Sequence, residues 1–258
     1  MLNQQSLYAL LLSLGAGLAT LLGMLIVFIV KGKSEKIITL ALAFAAGVMI
    51  SISFTDLWPE AQKHLALGLG EKWGILASVF SMALGILVAA ALDHFVPHGE
   101  FDPQNETRPH QNLFRVGFVS TLAMALHNFP EGIATFMAGY NDLSLGISIA
   151  LAIALHNIPE GISVAMPIFY ATGSKKQAFI YTFWSGITEP IGALLAFLAL
   201  RAYINDIVLG ASFALVAGIM LYISLEELLP SSRQYGHQRL ALSATFLGIC
   251  IMPLSYLF

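Results

Sequence analysis

Charge is what this chain has least of. Asp, Glu, Lys and Arg make up 10% of its 258 residues, where a soluble domain carries about 25%. That shortage excludes a water-exposed globular surface and the basic face of a nucleic-acid-binding protein. Cysteine is almost absent too: Cys250 stands alone, so no intrachain disulfide exists and thiol redox chemistry lacks a partner thiol. No GxxxxGK[ST] stretch is present, which argues against nucleotide-driven pumping within the chain. Strand-like alternation of apolar and polar residues is also missing, which disfavours a membrane barrel.

What remains is apolar. Hydrophobic residues make up 57% of the chain. They fall into eight segments, roughly 5–30, 37–58, 74–95, 114–138, 143–170, 177–200, 207–229 and 239–258. Each is long enough to cross a hydrocarbon core of ~30 Å, which takes about 20 helical residues. The expected fold class is therefore an all-α integral membrane protein with eight transmembrane helices, a single domain over 1–258. The first segment is too long for a signal-peptide core and lacks a basic start, so it is expected to be retained. Lys31, Lys33, Lys36, Arg108, Arg115, Lys175, Lys176, Arg233 and Arg239 fall in alternate connections, whereas Lys63, Lys72 and Arg201 fall in the others. That bias predicts both termini outside the cytoplasm. The longest polar stretch, HGEFDPQNETRPHQN at 98–112, is then cytoplasmic. The sequon at Asn105 has no glycosylation meaning there. His94, His98 and His110 flank or lie in this stretch, and a solvated loop is favoured over a metal-holding one.

The chain resembles itself twice. AGVMISISFTDLWP at 46–59 matches AGIMLYISLEELLP at 217–230 at seven of fourteen positions, and Asp56 aligns with Glu227. The two segments run in opposite directions, and inverted repeats are a signature of secondary transporters. AMALHNFPEGIA at 123–134 matches AIALHNIPEGIS at 152–163 at nine of twelve positions. Those two motifs sit near the middle of neighbouring antiparallel segments, so they meet at one depth in the bilayer.

His127 and Glu131 are four residues apart and share a helix face; His156 and Glu160 repeat the arrangement. Two imidazoles and two carboxylates from facing helices suit Zn²⁺ and other borderline divalent ions. Asn128 and Asn157 point about 100° round the helix from the histidines. With Glu189, from ITEPIG in the sixth segment, they form an oxygen-richer set that shares Glu131 and Glu160. Two adjacent metal sites are expected. Pro130, Pro159 and Pro190 free the carbonyls of Leu126, Leu155 and Gly186. Gly132 and Gly161 are expected to let the two motif helices approach closely, and Gly15-x3-Ala19 to be a packing contact. The bland alternative is a structural polar knot. Each unpaired charge at this depth costs at least ~2.5–3.5 kcal/mol, too much for a merely structural role. Asp56 and Glu60 near the outer end, and Glu226 and Glu227 near the inner end, are either ion-collecting and gating groups or acids reaching the headgroups.

At HNFPEG, HNIPEG, TEPIG and the DLWPE/EELLP pair the sequence resembles the ZIP family of zinc- and iron-regulated transporters, most closely its bacterial ZupT-like branch. The resemblance implies a 3+2+3 arrangement: inverted triplets at about 5–95 and 177–258, a central pair at 114–170, and a cytoplasmic loop at 96–113. It implies a binuclear site of His127, Asn128, Glu131, His156, Asn157, Glu160 and Glu189. It implies movement of Zn²⁺, with Fe²⁺, Cd²⁺, Mn²⁺ and Co²⁺ as further cargo, into the cytoplasm across a bacterial inner membrane by elevator-like alternating access. Expected partners are divalent metal ions and the lipid bilayer, with a homodimer left open and no nucleic acid. Metal binding displaces protons, so uptake is expected to depend on pH. The rivals are an intramembrane metalloenzyme, since two His and several Glu on bundle helices also describe hydrolase or di-iron sites, and a metal sensor that binds without flux.

Overall fold

The structure, a computed structural model, describes residues 4–29, 34–95, 109–200 and 205–257. Among the described residues there are helices and turns and no strand. The rods are α1 (Gln4–Ile29), α2 (Glu35–Leu69), α3 (Glu71–Phe95), α4 (Pro109–Asn141), α5 (Leu143–Thr172), α6 (Lys175–Leu195), α7 (Asp206–Arg233) and α8 (Gln238–Ile251). Five described stretches, Gln4–Ile29, Glu35–Leu69, Glu71–Phe95, Gly146–Thr172 and Asp206–Arg233, are long and apolar enough to cross a membrane. The middle of α4 carries His127, Asn128, Pro130 and Glu131, and α5 carries the matching His156, Asn157, Pro159 and Glu160.

The ends follow from local chemistry. The Ser174 side chain accepts from the Gln177 amide at 3.2 Å and Asn205 Oδ1 accepts from the Val208 amide at 3.0 Å, capping α6 and α7. Gly70 and Gly173 stop α2 and α5 at φ 83° and 69°, a left-handed conformation that glycine adopts without strain.

Packing sorts the rods into two groups. α1, α4, α5 and α6 pack on one another, while α2 packs on α7 and α8, and α3 on α7. The groups meet mainly where α2 lies on α5 and α4 lies on α7. Met24, Ile38, Leu42, Met49, Met124 and Ile168 fill the core between them.

The closest helix contacts come in matched pairs. A Cβ on Gly17 of α1 would meet the Gly186 carbonyl of α6, and a Cβ on Gly186 would meet the Gly17 carbonyl, both at 2.6 Å. Gly132 of α4 abuts the Glu189 carbonyl, and Gly161 of α5 abuts the Thr20 carbonyl. Gly23 meets Ile158 as Gly192 meets Phe129. Gly47 meets Thr245 as Gly218 meets Met82, and Gly248 meets Phe44 as Gly85 meets Leu215.

Three sequence expectations need correction. The second apolar segment does not end at 58: the helix runs on to Leu69 through a π-turn at Ser53–Leu57. Pro59 has no N–H to donate, and the wider π-turn before it accommodates that loss without a break. α7 repeats the device, with a π-turn at Ile223–Leu228 ahead of Pro230. Asp56 therefore sits inside its helix and not near its end. Gly132 and Gly161 do not bring α4 and α5 together. Each lies one residue past its glutamate, about 100° round the helix, and faces α6 or α1 instead. Gly15 has open space around it, and Gly17 is the packing glycine of α1. Most of the loop at 96–113, with His98 and the sequon, lies outside the described residues, as does the His110 side chain.

Candidate metal centre

α4 and α5 bring the two motifs face to face. His156 Nε2 lies 2.9 Å from Glu131 Oε1, across the helix pair. His127 Nε2 lies 2.8 Å from Glu160 Oε1, also across the pair, and 3.3 Å from Glu131 Oε1 on its own helix. The two imidazole centroids are 6.1 Å apart. Among the described residues, His127, Glu131 and His156 form a group whose ligand atoms all lie within 4.8 Å of one another. All of these side chains are buried. The i,i+4 spacing on each helix and the antiparallel crossing produce this arrangement directly.

α6 and α1 close the site from the sides. Asn157 Nδ2 donates to Glu189 Oε2 at 2.8 Å and to the Ala16 carbonyl at 2.9 Å. Asn128 Nδ2 donates to the Ser185 carbonyl at 3.1 Å. Both amide nitrogens are thus committed to acceptors on α1 and α6. Their carbonyl oxygens are left with no hydrogen-bond partner among the described residues.

The unsatisfied atoms define the chemistry. Both oxygens of Glu160, Oε2 of Glu131, Oε1 of Glu189 and the two Asn Oδ1 atoms are buried without a hydrogen bond among the described residues. The His127–Glu160 approach is short, yet neither atom is aligned as donor and acceptor. Buried carboxylates without donors are costly in a low-dielectric interior. A divalent cation is the partner that such a set of imidazole nitrogens and carboxylate and amide oxygens would satisfy.

The other acids are not part of this cluster. Glu60 is half-buried and faces Lys63 at 3.0 Å and His64 at 3.6 Å. Asp56 Oδ2 accepts from Thr55 Oγ1 at 2.7 Å. Glu226 is exposed, whereas Glu227 is buried. Glu227 Oε1 accepts from Arg115 of α4 at 2.9 Å, and Arg115 also holds Asp93 of α3. The Tyr222 hydroxyl donates to Asp93 Oδ2 at 3.1 Å. Sequence reasoning missed this cluster because it counted Arg115 as a loop cation. The available signal was its position after Leu113 and Phe114, already inside the apolar run.

The sequence profile of the ZIP zinc transporter family matches residues 98–255. The chain is also 45% identical to the zinc transporter ZupT of Clostridium perfringens, across 97% of this chain and 95% of that protein. The chain belongs to the ZIP family. It is 44% identical to the zinc transporter ZupT of Chlorobaculum parvum, across 99% of both chains, and 43% identical to that of Streptococcus mutans, again across 99% of both. ZIP membership and the apolar rods together make this a multi-pass membrane transporter and not an enzyme. The metalloenzyme alternative has no support.

Proposed function

We propose that this ZIP-family chain imports divalent metal ions into the cytoplasm across the bacterial inner membrane, with zinc as its main cargo. The names of the relatives favour zinc, and so does the ligand chemistry: two imidazoles among carboxylates suit a borderline ion better than a hard one. Fe²⁺, Cd²⁺, Mn²⁺ and Co²⁺ are the further cargo that this donor set admits. The observation that carries the reading is the convergence of His127, Glu131, His156 and Glu160 near the middle of α4 and α5, with carboxylate oxygens lacking any other partner. Glu189 and the two Asn Oδ1 atoms extend the donor set sideways, which favours two adjacent ion positions sharing Glu131 and Glu160.

Eight membrane crossings with both termini outside, and the 3+2+3 division at about 5–95, 114–170 and 177–258, complete the proposal. The matched contacts support an inverted repeat. They relate α1 to α6, α2 to α7, α3 to α8 and α4 to α5 through five pairs of carbonyl–glycine approaches. Two helix groups that meet along α2–α5 and α4–α7 suit a sliding mechanism, since the whole cargo site lies on one of them. Arg115 spans the two groups, from α4 to α3 and α7. It acts as a latch at the cytoplasmic end, and Glu227 takes part in gating through it. On α2, Asp56 and Glu60 attract cations.

The test is radiozinc uptake by cells depleted of their other importers, repeated with protein in liposomes. Glu131→Ala and His156→Ala should abolish flux. Uptake by either at the parent's rate would sink the proposal, and binding without flux would make the protein a sensor.

A further inference from the structure

The matched contacts have an unequal pair at the site itself. Glu189 on α6 and Thr20 on α1 occupy corresponding places about the α1–α6 crossing. A Cβ on Gly17 would lie 3.2 Å from Glu189 Cβ, and a Cβ on Gly186 would lie 3.1 Å from Thr20 Cβ. The Glu189 carbonyl abuts Gly132, beside Glu131; the Thr20 carbonyl abuts Gly161, beside Glu160. The amides continue the correspondence, since Asn157 reaches the carbonyl of Ala16 one turn before Thr20, and Asn128 that of Ser185 one turn before Glu189. One half of the repeat therefore writes a carboxylate where the other writes a hydroxyl. Thr20 is fully buried, and its Oγ1 has no hydrogen-bond partner among the described residues. A buried hydroxyl without a partner is a cost, and this one stands where the other half of the repeat writes a site carboxylate.

We propose that Thr20 lines the cargo site as the neutral counterpart of Glu189, supplying a hydroxyl oxygen and holding the site at three carboxylates. The inference rests on the transport reading above. A fourth carboxylate in this place would bind a dication more tightly and release it more slowly. The hydroxyl keeps affinity within a range that permits turnover.

The test compares parent, Thr20→Val, Glu189→Thr and the exchange variant Thr20→Glu/Glu189→Thr. Zinc binding is measured on detergent-purified protein by competition with a fluorescent chelator, and zinc uptake in liposomes. Thr20→Val keeps the side-chain shape and should raise Kd and KM for zinc about threefold, the worth of one polar contact. Glu189→Thr should raise Kd about tenfold or more. The exchange variant, which restores the carboxylate on the opposite helix, should return Kd to within about threefold of the parent. If Thr20 only packs, Thr20→Val keeps the parent Kd; that result overturns the proposal. So does an exchange variant that folds yet binds no better than Glu189→Thr. Should the exchange variant fail to fold, Thr20→Val decides alone. A parent that binds zinc but does not move it refutes the transport reading while the Kd comparison still judges Thr20; a parent that binds none refutes both.

Discussion

Among the described residues, acids are drawn out of solvent in two places, with different company. Toward one end of the bundle, Glu227 and Asp93 share the guanidinium of Arg115, and Tyr222 donates to Asp93. In the middle, Glu131, Glu160 and Glu189 meet two imidazoles and the Asn157 amide, and several of their oxygens find no donor among the described residues. Arg has five donors and keeps its charge, so the end cluster carries its own cation. The central cluster is short of positive charge and contains side chains of the kinds that could hold a metal ion. Both obey the same rule, that charge removed from water must be compensated nearby. They differ in whether the compensating cation is covalently part of the chain, and a cation that is not can be exchanged.

The sharpest break between the two clusters is at Glu131 and Glu160. Glu131→Gln or Glu160→Gln keeps the shape and removes one negative charge. Zinc flux in liposomes should fall by about 100-fold or more, beyond what losing a supporting group costs a metal site, while the protein stays folded. Normal flux in both variants would mean that the central acids are structural, like those at the end.

Arg115→Met tests the other side. It leaves the buried Glu227 and the half-buried Asp93 without their cation, at a cost of about 3–5 kcal/mol. The thermal midpoint in detergent should drop, and Arg115→Met/Glu227→Met should recover much of it. Equilibrium zinc binding at the centre should be unchanged in both. A large loss of zinc affinity would mean that the two clusters are not separate. At the centre, His127→Asp swaps a nitrogen ligand for an oxygen. Competition uptake should then shift toward Mn²⁺ relative to Zn²⁺ by about an order of magnitude, with no such shift in the Arg115 variants.

The central cluster was largely legible in the sequence because a histidine and a glutamate at i,i+4 inside an apolar run have few other uses. All-helical architecture was legible for the same reason, from runs too long and too uniformly apolar for strands. The end cluster was not. Arg115 and Glu227 are 112 residues apart, and no local pattern announces that pairing. The continuation of α2 beyond residue 58 was hidden too, since the π-turn that accommodates Pro59 leaves no mark in composition. The partners of Asn128 and Asn157 were hidden because they are main-chain carbonyls, which any residue could supply. The pairing of Thr20 with Glu189 emerges only from three-dimensional contacts, since GLAT and GITE share little beyond their glycine.

The smallest expected effect belongs to Asp56, which aligns with Glu227 in the repeat but not in surroundings. Glu227 is buried against a guanidinium, whereas Asp56 is half-buried and takes a hydroxyl donor from its neighbour Thr55. An acid that only raises the local cation concentration acts through the field around it, and salt screens that field over ~8 Å at physiological ionic strength. Asp56→Asn should therefore raise the zinc KM by no more than about twofold, the scale of a partly exposed substitution, and only at low salt. Initial uptake rates in vesicles at low and physiological ionic strength check this. A defect that persists unchanged in high salt would show that Asp56 contacts the cargo directly, and would move it from the collecting surface into the path of the ion.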